Sequence, residues 1–534
     1  MKKALILAFF SVSIVSIVAM TGSAPAFVDH RDCVACHNQL SSLQGEDISM
    51  GSDWSGSMMA NSSRDPYWQA AIRREAIRLP AASRAIQNEC AACHMPMTRY
   101  LAKTAGRSGE VFVHLPMVPN EAVNHNLAAD GVSCTICHQV LADKLGTRES
   151  FVGGFVLDNT TPYGEREIYG PYDVDEGRQH LMQSASRFIP REAAHIQSSE
   201  FCATCHTLYT HALNDKGEEL GELPEQVPYL EWKHSGYADT RSCQSCHMPE
   251  VEGKVAISGV LGEPREKVSR HVFRGGNILL PRMLNRHRGE LGVTALPQSL
   301  QATADRSAAH LETKSARIRV LSAEAGEDSL SVQVEVRNLA GHKLPTAYPS
   351  RRAWIHFTVL DAEGKVVFES GKLRPDGAIA GNDNDERADR YEPHYNVISR
   401  QDQVQIYEPI MGDENGNVTT MLLSGVKYLK DNRILPMGFD KATSPEDCGV
   451  YGAAAKDNDF KDFTDRITYK IPLTPGMGKL RIQVALRYQP IGYRWARNLE
   501  DTDAAETKRF LKYFKASAPS SAAVLATSGI CWSR

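Results

Sequence analysis

Ten of the chain's twelve cysteines fall into five copies of one pattern, Cys-x-x-Cys-His. The copies are Cys33-Val-Ala-Cys36-His37, Cys90-Ala-Ala-Cys93-His94, Cys134-Thr-Ile-Cys137-His138, Cys202-Ala-Thr-Cys205-His206 and Cys243-Gln-Ser-Cys246-His247. With 12 Cys and 18 His in 534 residues, random placement gives roughly 0.01 copies of such a pattern. Two residues between the cysteines put both sulfurs on one side of a single turn. There each can bond a vinyl group of the same porphyrin, and the adjacent imidazole swings beneath the ring to hold the iron. Zinc sites pair Cys-x-x-Cys units without a histidine after every one, and thioredoxin-type cysteines do not recur five times. The pattern therefore predicts five covalently attached c-type haems, with iron ligands His37, His94, His138, His206 and His247.

All five motifs lie between Cys33 and His247, and the last half of the chain has none. The motif half is rich in Gly, Pro and Ser, with helical periodicity only in patches such as 66–79 and 281–287. It has few long apolar runs because porphyrin rings supply apolar surface, so without haem this region is not expected to fold. From about Ser315 the pattern turns to alternation. Ala316–Leu321, Ser329–Val336, Ala353–Leu360, Lys365–Ser370, Ile467–Leu473 and Leu480–Arg487 read as half-buried strands, with Asp361-Ala-Glu-Gly364 as a hairpin turn. The expectation is an α+β multidomain chain: a mainly helical and irregular pentahaem domain over 27–310, packed on its haems, then an antiparallel β-sandwich over 315–515 with a long irregular insert. Residues 516–534 read as an extended tail.

The first residues, Met1-Lys2-Lys3, an apolar run from Ala4 to Met20 and the triplet Ala24-Pro25-Ala26, have the layout of a secretory signal peptide over 1–26, with an uncleaved anchor as the alternative. Export agrees with the motifs, since haem attachment of this kind takes place outside the cytoplasm. The periplasm is the favoured location and the cell exterior the other. No later run is long and apolar enough to span a bilayer. Removing Lys2 and Lys3 takes the formal charge from −4 to −6, and no basic cluster suggests nucleic acid or a membrane surface. Cys448 and Cys531 remain: a disulfide in an oxidising compartment or two free thiols.

The sequence resembles the multihaem cytochromes related to tetrahaem cytochrome c and hydroxylamine oxidoreductase. The residues that carry the resemblance are Asp130-Gly-Val-Ser-Cys134, Cys202-Ala-Thr-Cys-His-Thr-Leu208, Cys243-Gln-Ser-Cys-His-Met-Pro249 and Ser269-Arg-His-Val-Phe-Arg-Gly-Gly-Asn277. Gly341-His-Lys-Leu-Pro-Thr346 with Pro349-Ser-Arg-Arg-Ala-Trp354 resembles a segment of uncharacterised exported multihaem cytochromes.

The resemblance implies that His271 is a distal iron ligand. His195 and His125 stand just before motifs and His30 opens the first, so each is a candidate cap for a neighbouring haem. His114, His211 and His234 are reserves. His342, in a loop between two strands, would bolt the β domain to the haem domain if it ligates iron. Met59 stands where related cytochromes often place a ligating histidine. It is either a sulfur ligand that raises one haem's potential or plain core packing. Asn382-Asp-Asn-Asp-Glu386 lacks the later glutamate of a calcium loop and reads as a solvated turn. Arg351 and Arg352 suit an anion or haem propionates, and one of the two is expected to be merely exposed.

The favoured function is electron transfer between redox protein partners. The alternative is a multihaem oxidoreductase acting on a small nitrogen or sulfur compound at a five-coordinate haem. Against the enzyme stand five motifs that all end in histidine, whereas nitrite reductase has a lysine-ligated active haem, and the lack of a locatable crosslinking tyrosine.

Overall fold

The structure, a computed structural model, describes residues 26–118, 121–214, 216–474 and 477–533. The signal segment, all but Ala26, lies outside the described residues. No helix among the described residues is long and apolar enough to cross a membrane.

The motif half is built from short helices, five of them started by a capping side chain among the described residues. Asp65 caps Pro66–Arg78, accepting from the backbone N–H groups of Tyr67 and Trp68, and Pro66 at the first helical position lacks the N–H that would otherwise be unpaired. Between the helices lie three two-stranded sheets: Arg166–Gly170 with Phe188–Glu192, Leu208–Leu213 with Glu219–Gln226, and Val255–Ala256 with Pro264–Arg265. The apolar side chains here divide into several small clusters, such as Leu40, Ile48, Val251, Val255 and Val268.

The β half is organised differently. One sheet runs in the order Val366–Ser370, Arg352–Leu360, Leu480–Gln489, Ala523–Trp532, with Ile406–Tyr407 also paired to Arg352–Leu360. A second runs Val397–Ile398, Thr464–Pro472, Ser329–Asn338, Ala316–Ala325. All pairings are antiparallel except that of Val397–Ile398 with Thr464–Pro472. Alternation puts Val332, Val334 and Val336 on one face and Ile482, Val484 and Leu486 on another, and both sets enter a single core. Phe357 of the first sheet stacks on Tyr469 of the second with ring centroids 3.9 Å apart and planes 3° from parallel.

All six strands read from alternation are present, as is the hairpin at Asp361–Gly364, where Gly364 takes a positive φ of 83°. The helices read at 66–79 and 281–287 appear as Pro66–Arg78 and Leu279–Arg286. The stretch read as an extended tail contains the strand Ala523–Trp532, paired along Leu480–Gln489.

One element crosses between the halves. The helix Ala505–Ser517 returns to pack on Pro66–Arg78: Phe510 lies against Tyr67 at 5.1 Å, Glu506 pairs with Arg73 at 2.9 Å, and Tyr513 stacks on His287 at 3.6 Å. Its apolar positions recur every three to four residues, but the partner they need lies more than 400 positions earlier in the chain.

Candidate haem-attachment sites

Each Cys-x-x-Cys-His lies on a helical turn. The first occupies His30–Val34 and the residues after it, the second ends Ser83–His94, and the third starts Cys134–Cys137. The fourth ends Ser199–His206 and the fifth forms Cys243–His247. Asp29, Ser198 and Ser242 cap three of these turns, so the chain orients both cysteines locally before any long-range contact forms. All ten motif cysteines are free, as are Cys448, buried in the β core, and Cys531, exposed on the last strand; the disulfide alternative does not form.

Four motif histidines share one device. The Nδ1–H of His37 donates to the Ile257 carbonyl at 2.6 Å, that of His94 to Ser62 at 2.8 Å, that of His138 to Tyr169 at 2.6 Å, and that of His247 to Arg274 at 2.6 Å. A carbonyl only accepts, so the proton is fixed on Nδ1 and the lone pair on Nε2 is left for a metal. Burial favours the neutral form at four motif rings: it pushes His94 and His247 down to about 4 and lowers His138 and His206. A neutral Nε2 lone pair beside two thiols is the donor set that a covalently attached haem requires, so the residues fit the group.

The distances between rings test the second ligand. Two imidazoles on opposite sides of one iron, with metal–nitrogen bonds of about 2 Å and a ring radius of about 1.1 Å each, have centroids roughly 6 Å apart. His271 lies 6.2 Å from His138 with planes 25° apart, and His342 lies 6.3 Å from His247 with planes 13° apart. The His342 Nδ1 is held by the Lys343 carbonyl at 2.9 Å, and His271 has a buried Nδ1 with no hydrogen-bond partner. His310, which ends the helix Pro297–His310, also lies 6.4 Å from His247, tilted by 50°. Sequence reasoning passed over it, since nothing local marks one of thirteen non-motif histidines.

The other candidates are held differently. His30 gives its Nδ1 to Asp130, which also accepts the His30 backbone N–H at 2.9 Å, leaving Nε2 free. His125 and His195 use Nε2 to bond the carbonyls of Val118 at 2.7 Å and Val140 at 2.8 Å. Met59 is half-buried, and its carbonyl accepts from Val132 at 2.9 Å. Gly131 has φ +60°, and a Cβ there would stand 2.7 Å from that carbonyl, which accounts for the glycine in Asp130-Gly-Val-Ser-Cys134.

The two arginines part company. Arg352 is buried in a bidentate pair with Asp385 at 2.7 and 2.9 Å, which makes the Asn382–Glu386 stretch structural. Arg351 lies among His206, His342 and Tyr488. A further cluster, His394 with Asp457 at 3.0 Å and Asp465 at 3.6 Å, has the residue types of a metal site. However, Gln405 and Asn432 both donate amide N–H to its Nδ1, so the proton sits on Nε2, facing the carboxylates, and the cluster is a hydrogen-bond network.

Several motifs lie side by side. The thiols of Cys33 and Cys134 are hydrogen-bond neighbours, joining motifs one and three, and those of Cys202 and Cys243 join four and five. The Cys93 thiol lies 4.0 Å from the Cys205 carbonyl, joining two with four, and burial and then the Cys205 thiol push the Cys137 thiol of motif three up.

A chain with clustered Cys-x-x-Cys-His turns and a two-sheet second half has a counterpart among solved multihaem cytochromes. It is similar in fold to the penta-heme cytochrome c552 from Thermochromatium tepidum, with a TM-score of 0.54 and 16% identity over 95% of this chain and 99% of that one. No protein-family model matches the chain, and no curated protein matches it.

Proposed function

We propose that this chain is an exported pentahaem c-type cytochrome that passes electrons between redox protein partners. The single observation that carries the reading is the clustering of the attachment turns, one beside three, four beside five and two beside four. When bound, the five groups supply one-electron redox chemistry. The chain's own residues do the rest. The cysteine pairs fix each group, the carbonyls on Nδ1 orient the proximal rings, and the buried surroundings keep water away. His271 completes the coordination at the third motif and His342 at the fifth, the latter tying residues 315–515 to residues 27–310. His30, with Nε2 free, is a third distal candidate. His125, His195 and Met59 lack that arrangement. The motif half at 27–310 is the electron-carrying domain, and 1–26 directs the chain to the periplasm or beyond.

Mass spectrometry of the exported protein is expected to show five covalently attached haems, and their absence overturns the reading. His271→Ala and His342→Ala are each expected to convert one low-spin signal to high-spin in electron paramagnetic resonance. The oxidoreductase reading is favoured by one observation: unlike His138 and His247, His206 has no histidine ring at the two-ligand spacing among the described residues. A high-spin signal in the unmodified protein that shifts on adding nitrite or hydroxylamine selects that reading.

A further inference from the structure

The attachment turns differ in how far they reach the surface. Between the cysteines of motifs two, three and four, Ala91, Ala92, Thr135, Ile136, Ala203 and Thr204 are all buried. In motif five Gln244 is buried and Ser245 exposed, and in motif one Val34 is half-buried and Ala35 exposed, both lining a surface groove with Arg31, Asn38, Gln39, Gly259 and Val260. The loop after Val255 forms the other wall: its Gly259 N–H donates to the Cys36 carbonyl at 2.7 Å, and its Ile257 carbonyl holds His37. Two large apolar side chains of this loop stand out, Val260 at 45% exposure and Leu261 at 71%.

The rim is charged unevenly. Arg31, Arg178, Lys254 and Arg265 are each paired with a carboxylate. Asp32, Asp173, Glu176 and Glu252 are exposed and have no ion pair among the described residues, against one such cation, Lys267. An apolar strip of Val34, Ala35, Val260 and Leu261 beside unpaired carboxylates, at a motif whose turn lies open on a groove, defines the complementary surface.

We propose that this groove is the docking face for a small redox carrier whose own cofactor edge is apolar and ringed by lysines or arginines. The inference rests on the electron-transfer reading and adds where exchange with the partner occurs and what the partner looks like. The carrier loses one electron as this chain gains one, or the reverse, and no bond forms between them. Such an encounter is small and brief, steered by the carboxylates and completed by the apolar strip.

The test is stopped-flow electron exchange between the full haem-loaded chain and a lysine-ringed monohaem cytochrome c, across a range of ionic strength. Asp32→Lys with Glu252→Lys is expected to slow the bimolecular rate about tenfold at low salt and to flatten its salt dependence. Val260→Ser with Leu261→Ser is expected to slow it severalfold at every salt concentration. Glu324→Lys, exposed on the β half, is expected to leave the rate unchanged. Rates that ignore both groove variants overturn the proposal, as does faster exchange with an acidic carrier. Groove variants that dissociate a dimer in sedimentation assign the face to a second copy of this chain and overturn it too. Haem content separates the two failures. A chain without covalent haem defeats the functional reading, whereas a five-haem chain with insensitive rates defeats only the docking face.

Discussion

The two halves of the molecule solve the problem of a stable interior in opposite ways. In the β half, residues far apart in sequence, such as Val334, Phe357, Tyr469 and Val484, meet in one continuous apolar core. In the motif half the apolar residues form separate patches, and buried polar atoms without partners, which occur in both halves, include here two ring nitrogens beside motif histidines, the Nδ1 atoms of His271 and His310. Unpaired buried donors and acceptors cost free energy. The second half is organised around its own side chains, whereas the first leaves room between its patches for the haems proposed above.

The largest expected effect breaks that comparison along its seam. Replacing Cys134 and Cys137 of motif three with Ala is expected to abolish slow hydrogen exchange across residues 27–310 while strands such as Leu480–Gln489 stay protected; equal loss in both halves defeats the contrast. Next is Phe357→Ala, which removes the ring stacked on Tyr469. It is expected to cost about 3–5 kcal/mol in chemical denaturation of the β half, with the haem spectrum unaltered.

A smaller effect sharpens the boundary itself. Glu231, on the helix Pro228–Lys233, pairs with Arg433 at 2.8 Å and accepts the Lys343 backbone N–H at 3.0 Å, while Lys343 Nζ reaches Asp431 at 2.9 Å. All four side chains are buried, two anions against two cations. Glu231→Gln is expected to cost about 2–3 kcal/mol and to alter the spectrum of the group beside His342, which Phe357→Ala does not do.

The smallest is a pH effect. Burial pushes Glu225 up to about 8, so in the folded chain it keeps a proton that the unfolded chain releases near the ordinary carboxylate value. The folded state therefore binds more protons between those two values, and stability falls as pH rises through that window. Glu225→Gln is expected to flatten the fall, measured as denaturation midpoints from pH 5 to 8.

Legibility in the sequence followed the range of the interactions. The attachment turns were readable because Cys-x-x-Cys-His is complete within five residues. The β strands were readable because alternation is local and their faces are cleanly apolar. The helix Ala505–Ser517 was not expected because its stabilising partner, Pro66–Arg78, is remote and nothing in its own sequence points there. His310 was hidden for a similar reason, since its nearness to His247 depends on how two distant segments pack. Asp130 shows the intermediate case: its motif was recognisable, but that its carboxylate holds His30 became apparent only in three dimensions.

The strand order of the first sheet imposes a timetable. Arg352–Leu360, which follows the His342 loop, finds its central neighbour in Leu480–Gln489, and that strand in turn is covered by the ten residues Ala523–Trp532 at the end of the chain. If His342 serves the fifth motif as proposed above, its loop leads into a strand whose central neighbour comes from more than a hundred positions later in the chain, so that ligand is braced only once this long-range pairing has formed.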